Sequence, residues 1–268
     1  MADDQFDLDG AVAVVTGGTR GIGRATALVL GRAGADLVVV GRHTRERPHP
    51  HSPGFVEDAV DELTAAGIDA IGVAADVSDQ AQVATIVERT MEWRGRCDVL
   101  INNAAYPANG GLLEVPARRW QTGFQVQVSS PLQLCQAFLP GMFERGRGRV
   151  VNVSSGASQA LLPALAMYSV SKLAMERWTE YMDFELGGRG VSFNTLRVDQ
   201  LVPTEGWRLT YELRGEDAAT GGKGLSEFVS PEECGEFLAW MVRQPPSWSG
   251  QTVGFADLRQ LQAAAAAR

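Results

Sequence analysis

The chain has 268 residues, 45% of them hydrophobic, with 24 Lys plus Arg against 32 Asp plus Glu and a formal net charge of -8. That length and apolar share suit one large α/β domain or two small ones with a substantial core, and the acidic balance argues against nucleic acid as a partner. No apolar run reaches the roughly 18 residues of a membrane span, and the acidic opening MADDQFDLDG is unlike a signal peptide. Cys97, Cys135 and Cys234 are scattered and form no CxxC pair, so a cytoplasmic, reduced setting is expected.

Ala11 to Thr16, AVAVVT, reads as a strand buried on both faces. Gly17-Gly18-Thr19-Arg20-Gly21-Ile22-Gly23 follows, and then a helical pattern, RATALVLGRAG. Glycines let a backbone turn approach a phosphate, and the N–H groups of the helix start then bind it. Gly17, Thr19, Arg20, Gly21, Ile22 and Gly23 are therefore candidate nucleotide contacts. A second strand runs from Asp36 to Gly41. An acidic residue at its end would favour NAD, and a nearby arginine the 2′-phosphate of NADP. Gly41 stands at that position, Arg42 follows it, and Arg20 lies in the glycine turn. The Pro-rich loop from His43 to Pro53 holds all three histidines and reads as surface, with no metal site expected.

Phe55 to Ala66 reads as a helix and Asp69 to Ala74 as a third strand, with Asp76-Val77 just past its end. Ser78 is the expected cap of a helix reaching about Trp93. Asp98 to Ile101 is a short fourth strand, followed by Asn102-Asn103-Ala104-Ala105. Pro116 to about Glu144 is helical, with bends expected at Pro131 and Pro140. Arg149 to Val153 is the fifth strand, Ala166 to Leu186 a helix, and Val191 to Arg197 the sixth strand. Asp199 to Leu225 has no clear period and is expected to form a lid; it carries Trp207, Leu209 and Tyr211. Ser230-Pro231-Glu232-Glu233 opens a helix that runs to about Arg243. Thr252 to Phe255 fits a seventh strand, and the tail LRQLQAAAAAR a frayed helix. The alternation predicts an α/β chain over residues 1–268: a single-domain Rossmann fold, a doubly wound parallel sheet of about seven strands with helices on both faces. Ligands in such sheets bind beyond the carboxyl ends of the strands.

Tyr168 and Lys172 lie four residues apart, one turn apart on one helix face. Of the 24 basic residues only Lys172 and Lys223 are lysines, so a compact ammonium is kept here in a chain that otherwise uses arginine. An adjacent ammonium favours phenolate and should lower the tyrosine pKa. Ser155, at the end of the preceding strand, offers a hydroxyl to the same substrate oxygen.

These segments together resemble the short-chain dehydrogenase/reductase family from about Gly10 to Gly254: TGGTRGIG (Thr16 to Gly23), Asp76-Val77, NNAA (Asn102 to Ala105), Ser155 and Tyr-x-x-x-Lys, in that order. The resemblance implies hydride transfer between a nicotinamide cofactor and a carbonyl or alcohol. It makes Tyr168 the general acid/base, Lys172 the holder of the nicotinamide ribose and Ser155 the hydrogen-bonding partner of the substrate oxygen. It implies cofactor contacts for Asp76, Val77, Asn103 and Ala104, and a homodimer or homotetramer built on two long helices. In the second of these helices, Leu173, Met175, Trp178, Met182 and Phe184 exceed one buried stripe. Three departures stand out. Gln127 occupies the place of the usual proton-relay asparagine. NNAA replaces NNAG. Val198-Asp199 replaces the usual Pro-Gly, which leaves Thr204 as the nicotinamide-contacting threonine at shifted spacing. The expected activity is an NADPH-preferring carbonyl reductase or alcohol dehydrogenase acting on a small-molecule ketone or secondary alcohol. Alternatives are an NAD-dependent alcohol dehydrogenase, a 3-oxoacyl-thioester reductase, or a non-catalytic nucleotide-binding sensor or scaffold.

Overall fold

A computed structural model gives the structure of the chain and describes residues 5–48, 54–107, 109–205 and 228–266. His49 and His51, the side chains Trp207, Leu209 and Tyr211, and most of the expected lid lie outside the described residues. Strands β1 (Val12–Thr16), β2 (Asp36–Gly41), β3 (Ala70–Ala74), β4 (Val99–Asn102), β5 (Gly148–Ser155), β6 (Val191–Val198) and β7 (Thr252–Val253) form one sheet in the order β3-β2-β1-β4-β5-β6-β7. All its neighbours are parallel. The order reverses between β1 and β4, which opens a crevice at their carboxyl ends.

The apolar strand runs are explained by two-sided burial. In β1, Ala13 and Val15 pack into one core with Leu37, Val39, Val99 and Ile101, while Val12 and Val14 pack into a second with Val38, Val40 and Leu100. The first core is closed by α1 (Gly21–Arg32), α2 (Val56–Ala65) and two later helices, α7 (Pro231–Arg243) and α8 (Phe255–Ala266). The second is closed by α3 (Gln80–Arg94), α5 (Ser130–Glu144) and α6 (Ala166–Leu186). No described helix is long and apolar enough to cross a membrane.

The structure refines three local expectations. The cap of α3 is Asp79, whose carboxylate accepts from Ala81 N at 2.9 Å, while Ser78 N donates to Asp76 Oδ1. The helical region from Ala117 (α4, Ala117–Phe124) to Glu144 runs on through its prolines, as a long helical stretch should. A π-helical turn, Gln125–Ser129, carries it into α5, with Ser130 N donating to Gln125 O, and Pro140 sits inside α5. Pro131 has no N–H to return to the preceding turn, and the wider turn absorbs that loss. In α6, Met175 and Met182 are buried, whereas Leu173 is 47% and Phe184 85% exposed, so only part of the expected surplus faces outward. Ser230 caps α7 as expected, accepting from Glu233 N.

The glycine turn is close-packed. A Cβ on Gly23 would stand 2.2 Å from the Gly17 carbonyl oxygen and 2.5 Å from Asn103 Nδ2, whereas one on Gly67 would meet nothing within 4 Å. Gly23→Ala is therefore expected to destabilise the fold by about 1–3 kcal/mol. Gly67→Ala, strained only by its positive φ, should lose about 1 kcal/mol. Urea denaturation of both variants checks the order; equal losses would place the constraint in the backbone alone.

Candidate active site

The turn after β1 is stitched to the end of β4. Thr16 Oγ1 accepts from Asn103 N (3.0 Å) and Ala104 N (3.1 Å), and Asn103 Nδ2 donates to the carbonyls of Thr16 (2.9 Å) and Gly17 (3.1 Å). Asn103 thus spends its amide on the glycine turn, and Ala104 follows at its rim. Gly17 and Gly21 both take positive φ. Arg20 is the N-cap of α1 in extended conformation and its side chain makes no capping bond. The first-turn N–H groups of Gly21, Ile22 and Gly23 therefore point out of a helix start that no side chain of its cap residue closes, a cradle suited to a pyrophosphate. Thr204 packs on this turn: a Cβ on Gly21 would stand 3.0 Å from its Cγ2.

At the end of β2, Arg42 is exposed, with Nη1 3.8 Å from Asp76 Oδ2. Arg20 is half-buried; burial lowers its pKa, Glu205 opposes this, and Arg42 adds to it, which places the two guanidiniums within electrostatic reach. Arg45 is instead tied to Asp58 and Asp61 of α2. Val77 is buried, and its carbonyl accepts from Ser130 Oγ of α5. Gly41 has a packing reason: a Cβ there would lie 2.3 Å from Thr19 Cγ2. Thr19 is accordingly a buried spacer between the glycine turn and β2.

Ser155, Tyr168 and Lys172 converge beyond β5. Ser155 ends the strand and accepts from Ala157 N at 3.2 Å, which caps a 3-10 turn, Gly156–Ser158. Its hydroxyl lies close enough to the Tyr168 hydroxyl to favour the phenolate. Lys172 is 1% exposed, its Nζ donates to Val153 O at 2.6 Å and lies 5.7 Å from the Tyr168 ring centroid. The tyrosine pKa is not lowered as the sequence predicts. Burial raises it, and the Ser155 hydroxyl opposes only part of this. Lys172 fails to lower it because burial pushes its own pKa down to about 7, against the opposing charge of Glu176.

Gln127 is fully buried in the π turn. Its Oε1 accepts from Tyr106 N at 2.9 Å, its Nε2 donates to Ser171 Oγ, and Ser171 Oγ donates to Tyr168 O at 2.9 Å. Both ends of the amide thus hold the loop after β4 against α6.

The sequence reading missed a polar ladder between α6 and the sheet. Its lower rung joins Asn102, Asn152, Thr179 and Thr195: Asn102 Nδ2 donates to Asn152 Oδ1, Asn152 Nδ2 to Thr179 Oγ1, and Thr195 Oγ1 to Thr179 Oγ1. Its upper rung is Glu176, which accepts from Ser154, Ser158, Gln159 and Arg197. The signal was legible: polar residues recur with period two in β5 (Asn152, Ser154) and β6 (Thr195, Arg197), opposite Glu176 and Thr179 on one helix face. The Val198-Asp199 departure also has a cause, since Asp199 Oδ1 accepts from Phe255 N at the start of α8.

Burial of Lys172 links the site to stability. The unfolded chain binds one more proton than the folded one between about 7 and 10.5, so this residue's contribution rises with pH across that window and falls as pH drops through it. Cys97, Cys135 and Cys234 act in the opposite sense, because burial raises their thiols. Comparing wild type with Lys172→Met cancels them. The stability difference should move in the variant's favour as pH falls from about 10 to 7, by up to ~1.4 kcal/mol per unit. Chemical denaturation at several pH values reads this slope, and a flat difference would mean that Lys172 is charged in the fold throughout.

A family model described as short chain dehydrogenase matches residues 11–204. A dehydrogenase/reductase SDR family member 4 of Bos taurus is 31% identical over 249 residues, covering 92% of this chain and 86% of that protein. A 3-oxoacyl-[acyl-carrier-protein] reductase of Synechocystis sp. is 32% identical over 247 residues, covering 91% and 95%. Among solved structures, the L-sorbose reductase of Gluconobacter frateurii, complexed with NADPH and L-sorbose, is 26% identical with a TM-score of 0.80, covering 93% of this chain and 97% of that one. The seven-stranded parallel sheet agrees with this match. The chain belongs to the short-chain dehydrogenase/reductase family and is an oxidoreductase.

Proposed function

We propose that this enzyme is an NADPH-preferring carbonyl reductase that converts a small-molecule ketone to a secondary alcohol. The observation that carries the reading is the convergence of Ser155 and Tyr168 beside a buried Lys172, whose Nζ lies 5.7 Å from the Tyr168 ring centroid. Two hydroxyls meet where one substrate oxygen would receive them. Ser155 donates a hydrogen bond to the carbonyl oxygen and polarises it. Tyr168 delivers its phenol proton to the same oxygen as negative charge develops there. Lys172, one turn below, offsets the charge left on the phenol oxygen while it holds its own proton. The nicotinamide cofactor supplies the hydride when bound. Gly17, Gly21, Ile22 and Gly23 would hold its pyrophosphate. Asp76, Val77, Asn103 and Ala104 would line its adenine and ribose, and Lys172 and Thr204 its nicotinamide end. The chain is read as a single domain, residues 1–268, with the lid expected from its sequence at about 199–225, and as a homodimer or homotetramer assembled through α5 and α6, where Leu132, Leu173, Tyr181 and Phe184 are exposed.

Cofactor choice follows from charge. No carboxylate stands at Gly41 to repel a 2′-phosphate, and Arg20 and Arg42 lie near each other beside it. Charge-assisted hydrogen bonds of roughly 1.5–3 kcal/mol favour NADPH at least about tenfold. The NADPH bound to the sorbose reductase supports this assignment.

Two measurements test the reading. Tyr168→Phe should lower turnover on a ketone panel by ~10²–10⁴-fold while cofactor still binds. The panel includes a 3-oxoacyl thioester, because the Synechocystis relative is a reductase of that class. Cofactor binding without turnover on any member would favour a sensor. Arg42→Ala should remove most of the NADPH preference in kcat/KM. Gly41→Asp alone is a poor reversal because its Cβ would strike Thr19 Cγ2, so Thr19→Ser with Gly41→Asp is the variant expected to favour NADH. A wild type that already prefers NADH would refute the cofactor assignment.

A further inference from the structure

Glu176 is 3% exposed yet charged, and it lies one turn beyond Lys172 on α6. Its Oε1 accepts from Ser154 Oγ (2.6 Å), Ser158 Oγ (2.6 Å) and Arg197 Nε (3.1 Å), and its Oε2 from Arg197 Nη2 (2.8 Å) and Gln159 Nε2 (3.2 Å). Ser154 and Arg197 are register partners on β5 and β6. Ser158 and Gln159 belong to the turn that begins at Ser155. One carboxylate therefore joins the helix that carries Tyr168 and Lys172 to the strand and turn that carry Ser155. We infer that Glu176 is a positioning residue of the catalytic site, holding Ser155 against Tyr168 and, with Arg197, setting the charge carried by Lys172. The inference deepens the proposed reductase reading and rests on it for its link to turnover.

Three features support it. The bonds to Ser154 and to Ser158 lie on either side of Ser155, so its backbone is fixed from both directions. The carboxylate stays ionised: burial pushes its pKa up, but the hydrogen bonds from Arg197, Ser154 and Ser158 outweigh it and the net shift is downward. Finally, Lys172 senses that charge, since burial lowers its pKa and Glu176 opposes the fall. The charged and titratable groups acting on Lys172 are Tyr168 and Glu176 on its own helix; Arg197 from β6 pairs with Glu176, and Asp199 and Asp257 act in turn on Arg197. The β5 strand faces Lys172 with the Val153 carbonyl and with Ser154 Oγ, 3.5 Å from the Lys172 carbonyl, and both are neutral. Loss of Glu176's charge and loss of packing then act on Lys172 in opposite directions. Removing the carboxylate charge takes away what supports the ammonium. Loosening the packing admits water and returns the amine toward its ordinary, higher pKa.

The chain's composition makes this measurable, because Lys172 and Lys223 are its only lysines. In a Lys223→Arg background, a single labelled lysine side chain can be titrated by NMR in the intact protein without any catalytic assay. The parent midpoint should lie near 7. Glu176→Gln should move it down by about 1 pH unit. Arg197→Gln, which leaves the carboxylate with less positive charge beside it, should move it up. Turnover by Glu176→Gln should fall more at pH 8 than at pH 6, with cofactor KM little changed, because the amine loses its proton earlier. An unchanged or raised midpoint in Glu176→Gln would show that the residue only packs, and the inference would fail. If that variant does not fold, an unchanged or lowered midpoint in Arg197→Gln refutes it equally. Should the protein reduce no ketone at all, the titration still decides the charge relation while the reductase reading falls separately.

Discussion

A lysine with 1% exposure is the constraint around which α6 and the ends of β5 and β6 are arranged. An amine taken out of water must lose its proton or gain partners. Here both happen in part: the pKa falls to about 7, the Val153 carbonyl accepts one hydrogen bond, and Glu176 supplies opposing charge. The need propagates outward. Glu176 is itself nearly buried, so it recruits Ser154, Ser158, Gln159 and Arg197. Those partners explain why the α6-facing side of β5 and β6 ends in polar residues, while the opposite side of the same strands carries Val151, Val153 and Leu196 in an apolar core. Buried ion pairs of this kind are weak evidence for stability, because desolvation offsets most of the attraction. Breaking one partner leaves a stranded charge, so the pair holds geometry even where it adds little free energy.

The nucleotide half depends on a different physical fact, close backbone approach. Thr16 and Asn103 bind the glycine turn to β4 through four hydrogen bonds. Side-chain volume is then excluded at Gly23, next to the Gly17 carbonyl, and at Gly41, against Thr19. Gly41 therefore serves two ends. It leaves the end of β2 free of a carboxylate, and it leaves room for the residue that spaces the phosphate turn from the strand. A change made there to alter charge is also a change in packing.

Most of the architecture could be read from the chain because its signals are local. Uninterrupted apolar runs marked strands buried on both faces, glycines marked the turns, and Tyr168 and Lys172 fell on one helix face by spacing alone. What escaped depends on partners distant in sequence. The period-two polar positions in β5 and β6 are visible in the chain, but their partners Glu176 and Thr179 of α6 are placed opposite them only by the fold. The π turn at Gln125–Ser129 lies just before Pro131, and no helix-period count separates such a turn from the bend that a proline predicts. Gln127 was read as a relay amide from its place in the motif. Its two hydrogen bonds, to Tyr106 N and Ser171 Oγ, could not be seen without the loop and helix that supply them. The direction of the Tyr168 shift was missed for a related reason: spacing shows that an ammonium is near, but only burial shows how much of it remains charged.

That reversed shift bears on the direction of the proposed chemistry. A phenol whose pKa is raised keeps its proton at neutral pH and is well suited to give it up only to a stronger base. The alkoxide that develops as a ketone is reduced is such a base. In the oxidative direction the same residue would have to accept a proton from an alcohol, and its phenolate is scarce until the solution is alkaline. Lys172 sets an alkaline limit on either direction, since its ammonium is itself lost above about 7 and then no longer stabilises a phenolate beside it.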